Sequence, residues 1–175
     1  LDALDAPAYK IASFEVIDLS LIAYAARKGK PMIISTGMAN RTEIGEAIDA
    51  ARANGCPGVI LLHCVSSYPA PVSDANVRTV PLLAETFDCV AGLSDHTPGS
   101  AAAVASIALG GAVVEKHFTL ARADGGPDAA FSVEPDEFAA LVRDCKSAWR
   151  ALGRAGFERP ASEKGSLTFR RSLYV

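Results

Sequence analysis

The sequence predicts an α/β fold, the carboxyl-terminal part of a TIM (β/α)8 barrel carrying about five β/α units. Two observations predict it. Short apolar runs recur along the chain with stretches of helical periodicity between them. Those runs are apolar on both faces, the pattern of parallel strands covered by helices. A third observation sets the extent: a closed barrel needs roughly 250 residues, and the chain has 175. No GxGxxG or P-loop follows any run, so a dinucleotide-binding sheet loses ground.

The elements follow in order. Tyr9 to Ser13 is expected as the first strand and Leu19 to Lys28 as the first helix. Pro31 to Thr36 gives the second strand, and Arg41 to Asn54 the second helix, with Asn40 as its cap and Gly55 as its stop. Val59 to Val65 (VILLHCV) is a buried third strand. A Pro-rich loop, YPAPVSDAN, leads from it to a helix near Val77 to Thr86. Cys89 to Leu93 and Ala112 to Phe118 supply the fourth and fifth strands, separated by an Ala-rich helix at Ser100 to Leu109. Pro135 to Leu152 is amphipathic and long enough for a terminal helix. Leu1 to Ala6 has the character of a helix end, and Ser166 to Val175 stops in an apolar segment, so both termini are expected to be cut.

Half of the residues are hydrophobic and 21% are charged, with a net charge of −3, the composition of a globular protein. No basic run offers a footprint for nucleic acid or an anionic membrane. The longest weakly polar run, Ser100 to Val114, is interrupted by Gly110 and Gly111 and is too short to span a bilayer. The first residues lack the basic start and apolar stretch of a signal peptide, so a cytoplasmic protein with small-molecule partners is expected. Cys56, Cys64, Cys89 and Cys145 are scattered and form no CxxC pair, which suits reduced structural thiols.

In a parallel barrel, reactive groups gather at the carboxyl ends of the strands, and residues two apart share a face. All five expected strands end in polar groups at such positions: Ser13 and Glu15; Ser35; Ser66 and Tyr68; Ser94 and His96; Glu115, His117 and Thr119. One serine at a strand end is commonly a cap or a turn residue, but five units doing the same predict one shared pocket. His96 and His117 come from adjacent units, where two neutral imidazoles can reach a common cation. His63 falls one residue out of phase and is expected to face the helices. Lys10 lies within an apolar strand, where an amine needs an anionic partner; a phosphate or carboxylate ligand would account for it. Asp124 and Asp128, in the loop after the last strand, are candidates to reach over the pocket, though loop aspartates more often cap or turn. These positions give a cation site, an anion site and carboxylates. They name no reaction.

The strings YKIASFE (9 to 15), IISTGMA (33 to 39), LLHCVSSYPAP (61 to 71), GLSDHTPG (92 to 99), EKHFTL (115 to 120) and GPDAAFSVEPDEF (126 to 138) resemble the sialic acid (N-acetylneuraminate) synthase family over nearly the whole chain. The resemblance implies condensation of phosphoenolpyruvate with an acetamido sugar to a nonulosonic acid plus phosphate, with a divalent metal, manganese first and magnesium or cobalt as alternatives. It implies that Lys10, Ser13, Ser35, Ser66 and Ser94 hold phosphoenolpyruvate, that His96 and His117 bind the metal, and that Glu15, Tyr68 and Asp128 meet the sugar as catalytic groups. Some members carry Asn where Ser66 stands. Within the family, YKIASFE, SDAN (73 to 76) and RRSLYV (170 to 175) are most similar to pseudaminic acid synthases, whose sugar is a 2,4-diacetamido-trideoxy-altrose; N-acetylneuraminate and legionaminate synthases are the alternatives. The resemblance also implies a homodimer. Residues 1–155 would then be the partial barrel and 156–175 a linker toward an absent antifreeze-like domain, leaving this piece alone inactive.

Overall fold

Each strand is short because each is apolar for only a few residues before a polar group begins a loop. In the computed structural model, which describes residues 4–170, the strands are β1 (Tyr9–Ile11), β2 (Met32–Ser35), β3 (Val59–Cys64), β4 (Val90–Asp95) and β5 (Val114–Lys116). All neighbours pair in parallel, in the order β1-β2-β3-β4-β5. Between and after them run α1 (Leu19–Ala26), α2 (Arg41–Ala53), α3 (Thr79–Phe87), α4 (Ala101–Ala108) and α5 (Pro135–Leu152). The chain is thus the partial barrel of five β/α units that the alternating pattern predicts.

Local chemistry fixes the helix ends. Asn40 Oδ1 accepts from the N–H groups of Thr42 at 2.9 Å and Glu43 at 3.1 Å, while Glu43 Oε2 accepts the Asn40 N–H at 2.8 Å. This reciprocal box satisfies donors that α2 would otherwise leave bare. Asp18 caps α1 through Leu21 N–H at 2.9 Å. Pro135 sits at the start of α5, where its missing N–H costs nothing, and the helix stops at Gly153 with φ 53°.

The core lies between the sheet's outer face and the helices. Ile11, Met32, Ile34, Leu61, Ala91 and Leu93 from the strands bury against Ile22, Ala26, Ile44, Ala47, Ile48, Val80, Leu83 and Ala102 from the helices. With that face apolar, the alternate strand residues point to the inner face, which is where the polar set lies.

Three strands end differently from the sequence expectation. β1 stops at Ile11 rather than Ser13, because Ser13–Glu15 turns into a 3-10 helix. β4 runs to Asp95 rather than ending at Leu93, because Ser94 and Asp95 continue the ladder opposite Glu115 and Lys116. β5 is confined to Val114–Lys116, because the chain then turns to another partner: Val133 N–H donates to His117 O at 2.9 Å, and Phe118 bridges to Val133. The tail beyond α5 is exposed but not without helix, since Ala161–Phe169 forms 3-10 turns. The expectations placed on residues 1–3 and 171–175 lie outside the described residues.

Candidate functional site

The inner face can be built strand by strand. Lys10 of β1 donates from Nζ to Ser35 Oγ of β2 at 2.8 Å and to Ile11 O at 3.2 Å. It also lies 3.6 Å from Glu115 Oε1 of β5. That last distance spans the whole sheet. Four strand spacings of about 4.8 Å would separate the edges by roughly 19 Å if the sheet were flat, so the five strands must curl until side chains from opposite edges meet. The curl brings the strand ends together on one concave face.

Ser94 of β4 donates to the same Glu115 oxygen at 2.6 Å. Glu115 thereby joins Lys10 to Ser94 across the floor. His96 follows on the same face, with Nδ1 2.7 Å from Val65 O. A carbonyl only accepts, so this bond assigns the ring proton to Nδ1 and leaves the Nε2 lone pair open. Ser94 Oγ lies 3.4 Å from Nε2, but its one proton is committed to Glu115. Burial pushes the His96 pKa below its usual 6.5, outweighing the Val65 hydrogen bond, and the neighbouring His117 acts in the same direction as burial. The neutral ring is the form a metal or a proton donor needs.

His117, from the end of β5, has its ring centroid 5.3 Å from that of His96. Its Nδ1 is 3.6 Å from Asp128 Oδ2. Tyr68 packs over both imidazoles, at 4.3 Å from His96 and 5.7 Å from His117. Burial raises the phenol pKa above its usual value, which keeps it a hydrogen-bond donor at neutral pH. Phe131, from the loop that carries Asp128, closes the other side of His117 at 5.1 Å and reaches Tyr68 at 5.8 Å.

On the β1 to β3 side, the hydroxyls of Ser13 and Ser66 meet at 2.9 Å. Gly37 makes that approach possible. A Cβ there would collide with Ser66 Oγ and stand 2.7 Å from Cys64 Sγ, so any side chain would push these strand ends apart.

The structure therefore brings Lys10, Ser13, Ser35, Ser66, Ser94, Tyr68, His96, His117 and Asp128 to one end of one face. Glu15 is placed differently: its Oε2 accepts the Ala12 N–H at 2.9 Å, capping the 3-10 turn Ser13–Glu15. Asp124 is exposed in another 3-10 turn, Arg122–Asp124. His63 lies on the helix side, bonded to Ala75 O at 2.9 Å, as its phase requires.

Three features carry no role in the sequence reading. Glu115 is noted there only as one of several strand-end groups, yet it is the carboxylate between the lysine and the serine. Arg122 forks onto Glu137, with Nη1 to Oε2 at 2.5 Å and Nη2 to Oε1 at 3.0 Å, tying the start of the loop of Asp128 and Phe131 to α5. This fork holds the Glu137 carboxyl far below the usual range, at about 2. The third is a buried pair, Asp95 and Lys116, on the opposite face.

The donor chemistry suits a divalent cation. Two imidazoles come from adjacent strands, one with its open nitrogen oriented by a backbone carbonyl, and oxygen donors stand close by. Among the described residues, no group of three His, Cys, Asp or Glu is gathered closely enough to hold a metal ion, so His96 and His117 are the residues that could hold one. No described helix is long and apolar enough to cross a membrane.

The chain is similar to known proteins over its whole length. The chain is 42% identical over 179 aligned residues to the pseudaminic acid synthase of Helicobacter pylori, covering all of this chain and 52% of that protein. It is 37% identical over 177 residues to the N,N'-diacetyllegionaminic acid synthase of Campylobacter jejuni, covering all of this chain and 53% of that one. The N-acetylneuraminic acid synthetase of Leptospira borgpetersenii superposes with a TM-score of 0.87 at 35% identity, over 99% of this chain and 60% of that structure. The chain spans about half the length of the curated relatives it matches. The sequence profile of the NeuB family matches residues 1–156, and the chain belongs to that family.

Proposed function

We propose that the polypeptide carrying this chain condenses phosphoenolpyruvate with an acetamido sugar to a nonulosonic acid and phosphate, with pseudaminic acid as the product. The observation that supports it most is the inner face itself. A lysine and four serines stand beside two imidazoles, one pocket with an anion half and a cation half. The pseudaminate assignment draws on the 42% identity to the Helicobacter pylori synthase.

In this reading Lys10, Ser13, Ser35, Ser66 and Ser94 receive the phosphate and carboxylate of phosphoenolpyruvate, the Ser94 hydroxyl turning from Glu115 to do so. Their contribution is position and charge compensation. His96 and His117 would hold a divalent metal, manganese by preference, which when bound polarises the carbonyl of the open-chain sugar. C3 of phosphoenolpyruvate forms a bond to the aldehyde carbon, and the aldehyde oxygen takes a proton to become a hydroxyl. Water adds to C2, giving up one proton, and phosphate leaves with cleavage of the bond between C2 and oxygen, taking the remaining hydroxyl proton, so that a 2-keto acid remains.

Glu115, between Lys10 and Ser94, faces the interior where that water must be oriented and its proton received. Asp128 and Tyr68 stand over the imidazoles where the sugar would lie. Glu15, occupied with the Ala12 N–H, is placed to shape the loop at the rim. The full protein is proposed to be a cytoplasmic homodimer, as the resemblance implies.

The test is phosphate release from phosphoenolpyruvate by the intact polypeptide with manganese, offered either the diacetamido-altrose or N-acetylmannosamine. Release with the first alone is expected. Release with the second alone moves the assignment to N-acetylneuraminate synthesis. Turnover of pyruvate in place of phosphoenolpyruvate would move it to an aldolase, and no turnover would leave a sugar-binding barrel.

A further inference from the structure

Behind the pocket, Asp95 and Lys116 face the helices. Lys116 Nζ is 2.7 Å from Asp95 Oδ2, with 2% and 1% of the two side chains exposed. The pair is completed on every side by Thr97. Asp95 Oδ1 accepts the Thr97 N–H at 2.9 Å and its hydroxyl at 2.8 Å, and Lys116 Nζ donates to Thr97 O at 2.6 Å.

A buried ion pair is weak evidence of stabilisation. Desolvating two charges is costly, and well-packed apolar replacements are often as stable. Its position suggests another use. Asp95 and Lys116 are direct partners in the ladder, and theirs is the last pair between β4 and β5. The next residue on each strand is a histidine of the pocket. Beyond the pair the chains part: Ala70 N–H donates to His96 O at 2.9 Å and Val133 N–H donates to His117 O at 2.9 Å. The ion pair therefore clamps the two strands at the point where both imidazoles leave them.

We propose that Asp95, Lys116 and Thr97 form a positioning lock that fixes the separation and ring orientation of His96 and His117. The lock does not touch substrate. Its effect on metal binding rests on the functional reading above, whereas its effect on ring order does not. The unpaired alternative is costly: if either charge were removed alone, the other would stay buried without a partner.

The test uses the intact polypeptide with Asp95→Asn and Lys116→Met together, which removes both charges and keeps an acceptor for Thr97. Thr97→Val, which removes a single hydroxyl bond, serves if the double variant does not fold. Two readouts separate a lock from a merely structural pair. In metal-free protein, 15N spectra of labelled imidazoles should show His96 as one Nδ1–H tautomer in the wild type and as a mixture in the variant. With manganese, the dissociation constant read from the free-ion EPR signal should rise by about tenfold or more. Either change in a variant with wild-type secondary structure supports the lock. A folded double variant with the wild-type tautomer and wild-type manganese affinity overturns it. A wild-type protein that binds no manganese removes the metal reading instead, and the tautomer comparison then decides the lock.

Discussion

At the scale of single residues, the pocket is organised by which protons are already committed. Ser94 gives its proton to Glu115, and His96 gives its Nδ1 proton to Val65 O, so the Nε2 lone pair is left open. Lys10 has Ser35 and Glu115 as neighbours, with its side chain 34% exposed, and keeps access to an incoming anion. Lys10→Ala should therefore raise the Michaelis constant for phosphoenolpyruvate by about one to two orders of magnitude, corresponding to the roughly 1.5–3 kcal/mol of one hydrogen bond to a charged group. An unchanged constant in steady-state kinetics would take Lys10 out of the anion site. Lys10 was legible from phase, as a polar residue between the core positions Tyr9 and Ile11, and the two histidines from their matched placement at adjacent strand ends. Asp95 and Lys116 were not, because they lie between pocket residues and the same alternation sends them to the apolar face. Phe131 was missed because nothing in a Gly- and Ala-rich loop indicates how it folds back onto His117.

At the scale of elements, side-chain caps and hydrogen-bonded loops hold the strand ends in place. α2 begins directly after the β2 loop containing Gly37, so its capping box fixes the rim beside Ser35 and Ser66. Asn40→Ala should cost about 1 kcal/mol in chemical denaturation, and no measurable loss would mean that Asn40 is not the donor-satisfying group. The helix caps and the length of α5 could be read from sequence because their chemistry is local: Asn before Arg-Thr-Glu, Pro at the start, Gly at the end. The ends of β4 and β5 could not, because they depend on which strand lies opposite. Ser94 and Asp95 resemble loop residues until Glu115 and Lys116 pair with them.

At the scale of the whole molecule, the curl of the sheet converts a linear pattern into a site. Lys10 and Glu115 are about a hundred residues apart in sequence and lie on opposite edge strands, yet they approach to 3.6 Å. The alternation of strands and helices announced the partial barrel, but the distance across it is a property of closure that no local segment contains. Both edges, β1 and β5, have a neighbour on one side only among the described strands. On the proposed function, the inner face has an anion half at Lys10 and the serines and a metal half at the two histidines. The most direct measurement is a crystal structure of the intact polypeptide with manganese and phosphoenolpyruvate, using anomalous scattering to locate the metal. The predicted result is one manganese peak bonded to His96 Nε2 and to His117, with the phosphoenolpyruvate phosphate and carboxylate on Lys10, Ser13, Ser35, Ser66 and Ser94. Manganese bound away from these histidines, or phosphoenolpyruvate bound away from Lys10, would contradict it.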